Sequence, residues 1–154
     1  MTLSYFYIII KKGEIMSKVK KAGCILINTK EKTVALVYRE KKNGTKDYSF
    51  PKGHLEANET LIECAVRETA EETKRDCEIL EKDPIYIEEY VTPDGEDVIL
   101  YYYLSKDIGK SDNPSEDTHK TFFIPYDEVY DKLSYPSLKK VWNLVKDKVK
   151  EYFE

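Results

Sequence analysis

The sequence predicts an α/β protein, a mixed β-sheet covered by helices on both faces. Runs rich in β-branched and aromatic residues lie before and after a central helical pattern, and a second, amphipathic helical pattern closes the chain. No Gly/Ser linker, repeat or low-complexity tract divides the 154 residues, so one domain with a sizeable core is expected.

Taken in order, Val19 to Asn28 and Thr33 to Arg39 have strand composition, followed by a turn-rich stretch. A helix is expected from about Thr60 to Thr73, because Thr60 followed three residues later by Glu63 forms a capping box. The later strand candidates are Ile85 to Val91, Val98 to Ser105 and Thr121 to Ile124. Side chains alternate across a strand, so Tyr102 should oppose Tyr101 and Tyr103. The closing helix is expected from Ser137 to Phe153, where Leu138, Val141, Trp142, Val145, Val149 and Tyr152 recur at helical spacing and lysines fill the wet face.

Residues 1–15 form a possible extra N-terminal segment in which Tyr5 to Ile10 would suit a strand. The rival reading starts translation at Met16: Lys11-Lys12-Gly13-Glu14-Ile15-Met16 can be encoded with AAGGAG, which resembles a bacterial ribosome-binding site, just upstream of an ATG. The domain proper then spans 16–154.

Composition narrows the function. A formal net charge of -4 argues against a nucleic-acid partner. Cys24, Cys64 and Cys77 are odd in number and lack zinc-ligand spacing, which fits a reducing compartment. The apolar run Leu3 to Ile10 is too short to span a bilayer and lacks the flanks of a secretory signal. A cytoplasmic protein without a membrane partner is expected.

The densest chemistry lies between Gly53 and Arg75. Gly53 is followed at fixed offsets by Glu59, Arg67-Glu68 and Glu71-Glu72, and on a helix Glu68, Glu71 and Glu72 stand at i, i+3 and i+4 on one face. In a chain that is 35% charged, any one of these could be a solvated surface residue. Jointly, six preset positions arise by chance on the order of 10⁻⁷ per window. A concentration of mutually repelling carboxylates suits hard divalent cations such as Mg²⁺ or Mn²⁺.

This segment resembles the signature box of the Nudix hydrolases, G-x5-E-x7-R-E-U-x-E-E-x-G-U with U aliphatic. Thr69 replaces one aliphatic position, and Lys74 and Arg75 replace the final Gly and aliphatic residue. The Lys74 substitution puts the helix end at issue, since the left-handed conformation costs a non-glycine residue roughly 1 kcal/mol. Tyr48 to Glu56 looks like the family's strand and loop ahead of the box. Asn58, where many relatives have Gly, is tolerant of positive φ.

The resemblance implies the family's α/β/α sandwich from about Val19 to the C-terminus and a metal-dependent hydrolase acting on a small-molecule nucleotide. It implies that Glu68, Glu71 and Glu72 ligate Mg²⁺ or Mn²⁺, with Glu68 and Glu72 the preferred pair and the Gly53 carbonyl completing the shell. Glu59 would join a second ion or orient the loop, and Arg67 would hold a box glutamate. The general base would be a box glutamate or an acidic residue of a later loop, where Glu116 and Asp117 are candidates. Lys52 and His54 could contact phosphates. Tyr90, near where dinucleoside tetraphosphate hydrolases carry a base-stacking Tyr, is either that residue or one of the chain's 13 tyrosines doing ordinary strand duty. The expected substrate is a bis(5′-nucleosyl) tetraphosphate. The rivals are a (deoxy)nucleoside triphosphate pyrophosphohydrolase resembling MutT, an RNA 5′-end pyrophosphohydrolase, which the charge disfavours, and a non-catalytic nucleotide sensor, against which the complete carboxylate set speaks.

Overall fold

In the computed structural model, which describes residues 18–115 and 119–154, the first strand is β1 (Val19–Asn28), and a tight turn leads from it into β2 (Thr33–Glu40). Two short strands follow, β3 (Lys46–Ser49) and β4 (Lys52–His54), then helix α1 (Leu61–Thr73) and β5 (Arg75–Ile79). After them come β6 (Tyr86–Val91), β7 (Asp97–Lys110) and β8 (Lys120–Pro125). A 3₁₀ turn at Tyr126–Glu128 leads into α2 (Val129–Lys132) and α3 (Pro136–Lys150). The expected segments Tyr5 to Ile10 and Met16, and the candidates Glu116 and Asp117, lie outside the described residues.

Among the described residues eight strands form one mixed sheet. Its spine is the parallel pair β1 and β7, in register from Val19 opposite Val98 to Ile27 opposite Lys106. The remaining ladders are antiparallel: β2 carries β3 and β8, while β7 carries β6 on its first half and β5 on its second. Strands β3, β4 and β5 escape a reading by composition because they are short, polar or glycine-containing. Their backbone is satisfied by a tertiary partner rather than favoured by side-chain propensity.

Two apolar layers flank the sheet. One face packs Ile25, Ile27, Leu36, Phe50, Leu100 and Tyr102 against α3 through Leu138, Val141, Trp142, Val145 and Val149. The opposite face packs Ala22, Cys24, Leu26, Ala35 and Tyr103 against α1 through Cys64 and Ala65. Tyr102 thus opposes Tyr101 and Tyr103, as strand alternation requires. Trp142, only 2% exposed, is the largest buried side chain of the α3 layer and meets Tyr126 edge-on at 5.4 Å. Helix α3 begins at Pro136, whose missing N–H costs nothing in the first turn, and ends at Lys150. The expected helix to Phe153 therefore stops short, and Tyr152 and Phe153 pack on the core from the turn beyond it.

Both ends of α1 are held. At the N-terminus Thr60 Oγ1 accepts from Glu63 N (3.1 Å), and Glu63 Oε1 accepts from Thr60 N (2.9 Å). At the C-terminus Lys74 takes the left-handed conformation at φ 60° and donates its N–H to Ala70 O (3.0 Å), so the cap survives without glycine. Lys74 Nζ also reaches Ser115 O at 2.7 Å, anchoring the segment after β7 to the helix end.

Candidate active site

The site is built where β4 passes in front of α1. Lys52, Gly53 and His54 pair with Gly23, Ala22 and Lys21 of β1, and Asn58 at φ 61° turns the chain toward the helix. Gly53 lies against the helix so closely that a Cβ would overlap the Glu68 carboxylate. Only a residue without a side chain lets that carboxylate rest on the loop backbone.

Arg67 organises the acidic face of α1. It grips Glu59 in a fork, Nε to Oε2 at 2.6 Å and Nη2 to Oε1 at 3.0 Å. Its Nη1 reaches Glu68 Oε1 at 2.7 Å and both Glu71 oxygens at 3.1 Å, and its Nη2 donates to the His54 carbonyl at 2.9 Å. One guanidinium thus fastens three carboxylates and the β4 loop together. The hydrogen bonds from Arg67 hold Glu59 down at about 2, well below the usual carboxylate range. Glu68 moves the other way: burial raises its pKa, and the Arg67 guanidinium only partly offsets this.

Glu72, one turn beyond Glu68, is 5% exposed and faces a different set of partners. Its Oε1 accepts the Lys52 backbone N–H at 2.7 Å, tying β4 to the last turn of α1. Its Oε2 pairs with the Arg39 guanidinium from β2, and His119 Nδ1 lies 3.8 Å away. Arg39 Nε in turn donates to His119 Nε2 at 3.0 Å. Arg39 and His119 were not singled out by the sequence. The signal available was faint, a charged residue near the end of an otherwise apolar strand, and the partnership with Glu72 spans 33 residues.

The structure thus brings Gly53, Glu59, Arg67, Glu68, Glu71 and Glu72 together along α1 and β4; Lys52 and His54 join them through their backbones, while their side chains and Tyr90 have other surroundings. His54 is exposed and its Nε2 stands 3.2 Å from Glu96 in the β6–β7 turn. Lys52 and Tyr90 line a neighbouring cavity of about 360 Å³ together with Arg39, Ser49, Glu88 and Tyr102. Lys21 Nζ lies over the Tyr90 ring, 5.9 Å from its centroid. Burial lowers the pKa of Lys52 and raises that of the Tyr90 phenol.

The donor chemistry suits a hard divalent cation. The acidic face supplies carboxylate oxygens, the Gly53 cradle keeps the Glu68 carboxylate at the loop, and Cys64, the thiol beside them, is pushed up to about 12 by burial and stays protonated. Among the described residues no three His, Cys, Asp or Glu side chains are arranged to hold one ion together; Arg67 and Arg39 pair with the carboxylates instead. No helix among the described residues is long and apolar enough to cross a membrane.

Comparison with known proteins agrees with this geometry. A family model described as NUDIX domain matches residues 18–146. An 8-oxo-(d)GTP phosphatase of Mycolicibacterium smegmatis is 31% identical over 108 residues, which is 70% of this chain and 32% of that protein. The chain therefore spans about a third of the length of that curated relative. A NUDIX hydrolase from Nitrosomonas europaea superimposes with a TM-score of 0.70 at 16% identity, covering 85% of this chain and 90% of that one. The C. elegans Ap4A hydrolase superimposes with a TM-score of 0.65 at 18% identity, covering 86% and 98%. These two likenesses are of fold. With the family match extending across β1 to α3 and the box residues gathered along α1 and β4, this chain belongs to the NUDIX domain family.

Proposed function

We propose that the protein is a metal-dependent hydrolase of a diphosphate linkage in a nucleoside polyphosphate, acting in the cytoplasm, with a bis(5′-nucleosyl) tetraphosphate as its preferred substrate. The observation that carries this reading is the acidic face of α1, fastened by Arg67 to a glycine-backed loop and bordered by a cavity large enough for a nucleoside. Glu68 and Glu72 are the preferred ligands of Mg²⁺ or Mn²⁺, supported by Glu71 and the Gly53 carbonyl. Both Glu59 oxygens are held by Arg67, which favours a positioning role for that residue. When bound, the cation polarises phosphoryl oxygens and lowers the pKa of a water nucleophile.

The chain's own residues do the rest. Arg67 holds the repelling carboxylates at fixed separation, so the site is organised before substrate arrives. Arg39, between Glu72 and the cavity, orients Glu72 and offers a guanidinium to the polyphosphate. A box glutamate, or Glu116 from the later loop, accepts the proton of the attacking water.

A second reading, a (deoxy)nucleoside triphosphate pyrophosphohydrolase, has its own support in the relative named 8-oxo-(d)GTP phosphatase. Both are tested by Mg²⁺-dependent product analysis on adenine and guanine dinucleoside tetraphosphates, deoxynucleoside triphosphates, ADP-ribose and 5′-triphosphate RNA. Cleavage of a dinucleoside tetraphosphate to a nucleoside triphosphate and a monophosphate at the highest kcat/KM is expected. Preference for a deoxynucleoside triphosphate moves the substrate to the second reading. Glu72→Gln should lower kcat by about 10²-fold or more with the circular dichroism unchanged; turnover at the parental rate would remove Glu72 from its role.

A further inference from the structure

Some of the polar groups that line the cavity beside the acidic face have no partner among the described residues. Tyr102 is fully buried, and its hydroxyl makes no hydrogen bond with a described residue; buried Ser49 Oγ is in the same state, while the half-buried Tyr90 hydroxyl has Lys21 beside it. All three side chains line the cavity. Leaving a buried hydroxyl unsatisfied costs about 1–3 kcal/mol, so two beside one space, with a third hydroxyl at its wall, point to a ligand that satisfies them.

Four charged residues line that space: Arg39 and Asp47 are engaged, with Glu72 and with Tyr135 and Lys41, whereas Glu88 and Lys52 are not. Glu88, on β6, is half-buried with no ion pair or hydrogen bond to a described residue, and burial raises its pKa although Lys52 and Lys140 oppose the effect. Lys52 enters from β4, and its Nζ likewise makes no ion pair or hydrogen bond with a described residue. The anion argues against a phosphate at this end. Arg39, which also lines the cavity, pairs with Glu72 of the acidic face and is the guanidinium available to a phosphate, the nearby Asp47 carboxylate being held by Tyr135 and Lys41. A base held by Glu88, with its phosphates at Arg39, would direct them toward the acidic face of α1.

The pair of charges selects among bases. A carboxylate accepts two parallel hydrogen bonds, and an adjacent ammonium donates one. A 2-amino-6-oxopurine presents that complement on one edge, N1–H and the 2-amino group beside the C6 carbonyl. Adenine sets its N1 lone pair against the carboxylate, and uracil offers one donor between two acceptors. We infer that this cavity is a base site selective for guanine and its derivatives, with Glu88 accepting from N1–H and the 2-amino group and Lys52 donating to the C6 carbonyl. The Tyr102, Ser49 and Tyr90 hydroxyls, each able to donate or accept, serve the remaining base and ribose atoms.

This assignment rests on the hydrolase reading only for its biological use; the binding itself is separable. The test is calorimetric titration of the full chain, without added metal, with GMP, IMP, AMP and UMP, repeated on Glu88→Gln and on Glu89→Gln, an exposed neighbour on the same strand. GMP should bind at least about thirtyfold tighter than AMP and about tenfold tighter than IMP, which lacks the 2-amino group. Glu88→Gln should bring GMP and AMP within about threefold of each other, whereas Glu89→Gln should leave the ratio unchanged. Equal binding of GMP and AMP, no binding of any monophosphate, or a ratio that survives Glu88→Gln in a variant with parental melting temperature would overturn the assignment. If GMP selectivity fails while metal-dependent hydrolysis persists, the base site falls and the hydrolase stands. The reverse pattern removes the hydrolase and keeps the base site.

Discussion

Arg67→Ala should destabilise the protein by about 3–5 kcal/mol, the range for removing one partner of a mostly buried ion pair. Arg67 is 21% exposed, and Glu59, Glu68 and Glu71 are 12%, 16% and 28% exposed, so water reaches the cluster only in part. Glu59 alone, held at about 2 rather than 4.5, accounts for roughly 3 kcal/mol above pH 4.5 before solvent screening is allowed for. The lost bonds to Glu68, Glu71 and the His54 carbonyl add to this, and rehydration of the freed carboxylates subtracts from it. For a domain whose total stability is of order 5–15 kcal/mol, the variant should fold but melt about 10 °C lower. Urea unfolding at pH 7 measures the difference directly. Arg67→Lys, which keeps the charge but cannot fork, should lie between, at about 1–2 kcal/mol. Added salt should narrow the gap by screening the carboxylates' repulsion. An Arg67→Ala variant within 0.5 kcal/mol of the parent (roughly the noise of a neutral surface substitution) would refute the view that one guanidinium organises this face.

Two further outcomes test the scaffold. Lys74→Gly should stabilise the protein by about 0.5–1 kcal/mol, because glycine takes φ 60° without strain and only the Lys74–Ser115 contact is lost; a lower melting temperature would contradict this. Tyr135→Phe should shift acid unfolding to higher pH. Burial pulls the Asp47 carboxyl up, but the Tyr135 hydroxyl at 2.7 Å and the Lys41 ammonium at 3.1 Å outweigh it and hold the carboxyl below 3.8. That stability is present above 3.8 and disappears as pH falls through the lower folded value. Removing the hydroxyl weakens it by about 1 kcal/mol, and an acid limb that does not move in a circular-dichroism titration would count against the coupling.

Much of the architecture was legible because its signals are local. The bounds of β1, the Thr60–Glu63 capping box and the apolar stripe of α3 follow from side-chain periodicity and from hydrogen bonds within one turn. Strand β4 had no signal in composition, because Lys52-Gly53-His54 has no strand preference of its own, and only the family resemblance over Tyr48 to Glu56 placed a strand and loop there; it is a strand because β1 offers it a ladder. The box carboxylates could be placed on one helix face, since spacing alone decides that. Their partners could not.

What the sequence by itself determined is the family, the helix that carries the acidic face and the order of the elements around it, each encoded in residues a few positions apart. Only the tertiary structure decided that Arg67 binds Glu59, Glu68 and Glu71 together, that Arg39 and not a neighbour on α1 faces Glu72, and that Glu88, Lys52 and Tyr102 share a cavity. These groups come from separate strands and helices, and which of them meet depends on the register of β1 against β4 and β7 and on how α1 and α3 pack across the sheet. A one-residue slip in a strand turns every side chain to the opposite face, so no local pattern could have specified the meeting.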